Sequence, residues 1–273
     1  MKPRKALYLG ANPPGTPPLG LEDEVRAIRQ ELRGARYRCF QLASYWASEA
    51  NDLIRELRDS QPTIVHLSGH ACKTDAQVGA TGAAYRDVVV DHVFDPGGGG
   101  LVLHARDGTV QVVSYHLVKT MFELAGAPVK LVVLTACGTE PLASMLLPHV
   151  DCVIGIAGPI SDHAALEFSK GLYAALGDGA SVEVAFQAGC LAIRCAGLPD
   201  ADRPRLKVRD GVAASRVVLA AIPRRRKPRV RRASGSAPRH ANRRRPPSAP
   251  RPRRRTRPEP AVAGTTARPR KRR

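Results

Sequence analysis

The sequence predicts an α/β domain over residues 1 to about 215, built on a mostly parallel sheet with helices on both faces. A basic tail, 216–273, follows it. Three observations lead there. Short apolar runs alternate along the chain with segments of helical spacing, the pattern of a parallel sheet with covering helices. The charge divides sharply. Of 43 Lys+Arg and 24 Asp+Glu, 21 and one lie between Arg224 and Arg273, which leaves 22 and 23 for everything before. The net charge of +19 therefore describes the tail and carries no message about the domain. Finally, His70 and Cys137 each fall one to three residues past an apolar strand, and open α/β sheets bind ligands beyond the carboxyl ends of their strands.

The elements follow in order. Ala6 to Gly10 is a buried strand closed by the turn sequence Ala-Asn-Pro-Pro-Gly. Leu21, Val25, Ile28 and Leu32 recur at helical spacing, with Glu22, Asp23 and Glu24 in the first turn, where acids suit the helix dipole. Tyr37 to Leu42 reads as a second strand, Ser48 to Leu57 as a helix, and Thr63 to Leu67 as a third strand ending in Ser68-Gly69-His70. Residues 71–99 lack periodicity and read as an insertion loop, with a short strand at Val88 to Val90. Leu101 to Leu103 and Val110 to Val113 flank an Asp-Gly turn and predict a hairpin. Ser114 caps a helix carrying Leu117, Met121 and Leu124. Val129 to Leu134 is the strongest strand and ends in Thr135-Ala136-Cys137-Gly138. A helix from Pro141 to Leu147, a strand from Asp151 to Ile156, a helix opened by Ser161 and Asp162, a helix capped by Ser181 with Val184, Ala185 and Leu191, and a last strand at Leu206 to Val208 complete the domain.

A domain of this size buries roughly 70% of the surface its unfolded chain exposes and needs no disulfide staples. The six cysteines lack the paired short spacings of a zinc site. The expectation is a cytoplasmic protein with no zinc site and no membrane span, since the apolar stretch after Met1 is too short for a signal peptide or a span.

A cysteine nucleophile acts as the thiolate, and an imidazole brought beside it takes the proton. Adjacent strands delivering His70 and Cys137 meet that need. Small neighbours (Ser68, Gly69, Ala71, Ala136, Gly138) leave room for a substrate backbone, and backbone N–H groups at Cys137 or Gly138 offer an oxyanion site. Single His and Cys residues are common, so spacing alone leaves open a buried cysteine and a loop histidine. His66 points opposite to Leu67 in its strand and reads as a packed, hydrogen-bonded histidine.

The blocks Val65-His66-Leu67-Ser68-Gly69-His70 and Val132-Val133-Leu134-Thr135-Ala136-Cys137-Gly138-Thr139 resemble the histidine and cysteine blocks of the CHAT domain family, caspase-like cysteine peptidases related to separases and caspases. Similarity extends to Leu21-x-x-Glu24-Val25-x-x-Ile28, Gly100-Leu101-Val102-Leu103, Val153-Ile154-Gly155, Ser161-Asp162 and the Phe168 to Leu176 helix, over about residues 4 to 212. The resemblance implies a caspase-like three-layer sandwich, a thiol nucleophile at Cys137, a general base at His70 and cleavage of protein substrates without cofactor. It implies an oxyanion contribution from the N–H of Ala71, where the family pattern has glycine. Alanine keeps the N–H but disfavours positive φ, so turnover suffers if that conformation is needed. It also implies a carboxylate for a basic P1 side chain, with Asp162 the matching residue and Asp151 a second candidate. Asp162 reads equally well as a first-turn helix acid, and Asp151 as the start of its strand.

Two functions follow as expectations. One is a CHAT-type cysteine endopeptidase regulated by a protein partner. The other is an inactive CHAT interaction module whose tail, 224–273, binds nucleic acid or another polyanion through phosphate contacts. The tail is equally readable as a solvated linker or as the Arg/Pro/Ala composition that GC-rich DNA encodes in almost any frame.

Overall fold

The computed structural model describes residues 3–46, 48–72, 89–90, 98–126 and 128–220. Most of the insertion expected at 71–99, and the tail beyond 220, lie outside the described residues. The elements are β1 (Arg4–Ala11), α1 (Leu21–Gly34), β2 (Phe40–Tyr45), α2 (Ala50–Ser60), β3 (Ile64–Cys72), β4 (Val89–Val90), β5 (Gly100–His104) and β6 (Val110–Ser114). There follow α3 (Tyr115–Ala125), β7 (Leu131–Leu134), α4 (Glu140–Leu146), β8 (Cys152–Ile156), α5 (Asp162–Gly177), α6 (Val182–Cys195) and β9 (Pro204–Val208).

Strand alternation builds the layers. Ala6 and Tyr8, Ile64, then Leu131 and Val133 point to one face, where they pack with Val25 and Ile28 of α1, Phe168 and Leu172 of α5, and Ile193 of α6. Leu7 and Leu9, Val65 and Leu67, then Val132 and Leu134 point to the other, against Leu53 of α2, Val118 of α3 and Leu142 of α4. The result is a three-layer α/β sandwich. Its main sheet runs β2-β1-β3-β7-β8 in parallel, with β9 antiparallel at the edge.

β3 has two roles along its length. Ile64–Leu67 pairs with β7, Ile64–Gly69 pairs with β1, and His70–Cys72 turns to an antiparallel pairing with β5. The β5–β6 hairpin, with β4 parallel to β6, is attached to the main sheet by those three residues. The sequence expectation ended this strand at Leu67. It runs further because Ala71 and Cys72 gain a partner in Leu101 and Gly100.

Packing continues past residue 215: Leu219 and Ala220 are buried, and Ser181 bridges to Val218. Two helix faces differ from the periodicity reading. α3 buries Tyr115, Val118, Met121 and Phe122 while Leu124 is 71% exposed, and α6 buries Val182, Ala185, Gly189 and Ile193 while Val184 and Leu191 face outward. In both helices apolar residues surround more than one face, so spacing alone does not select the buried one. Among the described residues no helix is long and apolar enough to cross a membrane.

Candidate active site

The site sits where β3 and β7 part. Leu67 lies opposite Leu134, and the Thr135 N–H donates to the Leu67 carbonyl at 3.0 Å. His70 and Cys137 each lie three residues beyond that matched pair. β3 continues straight into its pairing with β5, whereas the chain after β7 turns through Cys137 and Gly138. Gly138 holds φ 68°, a left-handed conformation that favours glycine. Gly69, at φ 155°, brings β3 so close to β1 that an added Cβ would lie 2.6 Å from the Ala11 carbonyl oxygen. Glycine at these two positions lets the strand ends approach and diverge.

His70 Nε2 lies 2.9 Å from the Pro17 carbonyl oxygen, in the loop between β1 and α1. A carbonyl only accepts, so Nε2 carries the hydrogen and donates, which leaves the lone pair of the neutral ring on Nδ1. The partly buried Cys137 thiol donates to the Ile160 carbonyl at 3.7 Å, and the Ile160 N–H donates back to the sulfur at 3.4 Å. His70 and Cys137 both line one cleft of about 250 Å³, with Gly20, Glu24, Ile160 and Asp162 among its other walls. The two carboxylates in that wall face no lysine or arginine among the lining residues.

The other predicted site residues fall as follows. The Cys137 N–H has no acceptor among the described residues. The Gly138 N–H does: it donates to the Gly158 carbonyl at 2.9 Å, so this turn does not offer it as an oxyanion donor, contrary to the sequence expectation. Ala71 lies in the β3–β5 pairing opposite Leu101 and lines the cleft. It is not among the residues with positive φ, so the conformation that alanine resists is not adopted. Ser161, not Asp162, caps α5, its hydroxyl accepting from Ala164 N. Asp162 is an exposed first-turn acid that also lines the cleft, and it accepts from the Gly20 N–H at 3.2 Å. Asp151 is corrected. It precedes β8 at the opposite end of the sheet, where Lys130 Nζ (2.8 Å) and the Arg209 guanidinium engage its carboxylate. A residue starting a strand cannot reach a cleft at the strands' carboxyl ends.

Sequence reasoning missed the polar cluster beneath the cleft. Glu24, 4% exposed, accepts from the Tyr8 hydroxyl at 2.8 Å and the Ser68 hydroxyl at 2.7 Å on Oε2. Its Oε1 accepts from Ser169 at 2.7 Å and lies 3.4 Å from His66 Nε2. The wholly buried His66 ring also meets the Thr135 hydroxyl at Nε2 (3.0 Å) and the Tyr173 hydroxyl at Nδ1 (3.2 Å), and it stacks on Tyr173. Burial alone would raise the Glu24 carboxyl. The His66 ring and the hydroxyl hydrogen bonds outweigh that and hold it below the ordinary value. Burial, assisted by the Glu24 charge, pushes the Tyr8 and Tyr173 phenols up, so both remain protonated. The signal for Glu24 was available: it stands three residues after Leu21, on the apolar stripe, where an acid needs buried partners. Pro17 and Ile160 act through their backbones and leave no mark on the sequence.

Among the described residues no group of three His, Cys, Asp or Glu side chains is placed to hold a metal ion. A parallel sheet between two helical layers, with a histidine and a cysteine at adjacent strand ends, is the arrangement of caspase-like domains. The CHAT domain family model matches residues 14–195. The chain belongs to the CHAT domain family, and that match takes in both strand ends and the cluster's residues from Glu24 to Tyr173. A comparison with curated proteins finds no match.

Proposed function

We propose that the protein is a cysteine endopeptidase that cleaves protein substrates on the carbonyl side of a basic residue, under the control of a partner protein. The observation that carries this reading is the tautomer of His70. With Nε2–H held by the Pro17 carbonyl, Nδ1 is the basic nitrogen on the cleft it shares with Cys137. In the reaction, Nδ1 takes the Cys137 proton and the sulfur adds to the scissile carbonyl. The C–N bond then breaks as the imidazolium returns the proton to the leaving amine. Water, deprotonated by the same nitrogen, hydrolyses the thioester. The N–H groups of Cys137 and Ala71 are the donors proposed for the oxyanion, since both residues line the cleft. Asp162 gives the cleft an exposed carboxylate suited to an arginine or lysine side chain. Partner control is supported by the thiol's bond to Ile160, which must break before the proton reaches His70.

Labelling with an electrophilic peptide ketone bearing arginine at P1 tests this reading. Mass spectrometry should place the adduct on Cys137. Cys137→Ala should abolish it, and His70→Ala should slow it by about 10²- to 10⁴-fold. Asp162→Asn should weaken the preference for arginine over a neutral P1 by about tenfold. Equal labelling by an aspartate-bearing probe would refute the basic pocket. Failure to label Cys137 with any probe would favour a non-catalytic interaction module. For that module the partner is a polyanion held by residues 224–273, and binding of the full chain to duplex DNA should weaken steeply with salt.

A further inference from the structure

Backbone pairing between the two strands that carry His70 and Cys137 stops short of both residues. The last matched pair is Leu67–Leu134, closed by the Thr135 N–H to Leu67 bond. Beyond it the strands separate, one toward β5 and the other into a turn. Side chains take over at this fork. Ser68 stands two residues before His70, and its hydroxyl is bound to Glu24. Thr135 stands two residues before Cys137, and its hydroxyl is bound to His66. Glu24 and His66 meet at 3.4 Å, and Tyr8, Ser169 and Tyr173 supply hydroxyls that fix the carboxylate and ring from β1 and α5. One carboxylate–imidazole pair thus bridges the two diverging strand ends.

Resting on the peptidase reading, we infer that the Glu24–His66 pair is a positioning unit that sets the separation of His70 from Cys137 through Ser68 and Thr135. The cluster's chemistry points to this role over bulk stability. Buried charged and polar pairs are often replaceable by apolar residues of similar volume without loss of stability, so the case for this carboxylate–imidazole pair rests on its geometry. None of its members needs to touch substrate for this. Both Glu24 oxygens and both His66 nitrogens are already engaged. Displacing a reacting group by about 1 Å costs on the order of 10²-fold in rate, so small slackness at the fork is visible in turnover.

The experiment reads the thiol directly and needs no substrate. The full chain is alkylated with iodoacetamide over a range of pH, and modification of Cys137 is followed by mass spectrometry. His70→Ala, Thr135→Val, Thr135→Ser and Glu24→Gln are compared with wild type, with cooperative thermal unfolding as the control for folding. Thr135→Val is near-isosteric and removes the hydroxyl, whereas Thr135→Ser keeps the hydroxyl and removes only the methyl group. The expected result is a reactivity midpoint moved upward by about one pH unit or more in Thr135→Val and Glu24→Gln, as in His70→Ala, with Thr135→Ser recovering most of the shift. Where an arginine probe is turned over, Thr135→Val should lower kcat about 10- to 100-fold and leave KM within about threefold. If wild type and His70→Ala share one profile, the dyad fails and this inference fails with it. If they differ while Thr135→Val and Glu24→Gln keep the wild-type profile, the dyad stands and only the positioning unit is overturned.

Discussion

Two carboxylates sit at opposite ends of the same parallel strands and are neutralised in opposite ways. Glu24, beyond the carboxyl ends, is held by an imidazole and three hydroxyls, with the His66 ring fully out of solvent. Asp151, before the amino ends, is held by Lys130 and Arg209, whose side chains remain 47% and 41% exposed. The first arrangement is short-ranged and directional, so it fixes positions. In the second the carboxylate is buried but both cations reach solvent, so the attraction is more open to screening by salt. In this fold the buried, hydroxyl-bound carboxylate lies beneath the cleft and the cation-bound one lies far from it.

The largest effect separating them should come from removing one partner of the buried pair. Glu24→Ala leaves His66, Tyr8, Ser68 and Ser169 facing a buried void, and denaturant unfolding should show a loss of about 3–5 kcal/mol. Acid sharpens the same point. Because the folded pKa of Glu24 lies below its ordinary 4.5, the stability it contributes is complete above that value and is lost as pH falls through the folded one. Unfolding followed by circular dichroism below about pH 4.5 should therefore show wild type losing stability with acid by a component that is absent from Glu24→Gln.

An intermediate effect is expected at Thr139, which is buried beside the Cys137 turn. Its hydroxyl donates to the Ala136 carbonyl at 2.9 Å and accepts from the Ile156 N–H at 3.1 Å. Thr139→Val strands that N–H and should cost about 1–3 kcal/mol by the same assay. The smallest effect belongs to Asp151→Asn, at about 1 kcal/mol or less, diminishing further in 1 M salt. A salt-insensitive loss of several kcal/mol there would erase the contrast.

The strands, though not their exact ends, were legible because apolar runs over a two-faced core are a strong constraint. The caps were legible for a chemical reason: Ser114, Ser161 and Ser181 each accept from the N–H three residues on. β2 was displaced to Phe40–Tyr45 from the expected Tyr37 to Leu42, since only its pairing with β1 decides where extended chain becomes strand. Glu24 was read as a dipole acid alongside Glu22 and Asp23, and its burial depends on Ser68, Ser169 and His66, which local pattern does not connect to it. The carbonyl of Pro17 and the backbone of Ile160 became visible only once the chain had been folded around them.

The reach of the buried cluster also orders events in time. Ser169 lies 145 residues after its partner Glu24, and Tyr173 lies 107 after His66. During synthesis the histidine block leaves the ribosome first, the cysteine block next, and α5 later still. Until α5 docks, Glu24 lacks Ser169 and His66 lacks Tyr173, and contacts this distant in sequence form slowly. A nascent chain therefore carries His70 and Cys137 well before the buried cluster beside them is closed, so the site is complete only when most of the domain has been made.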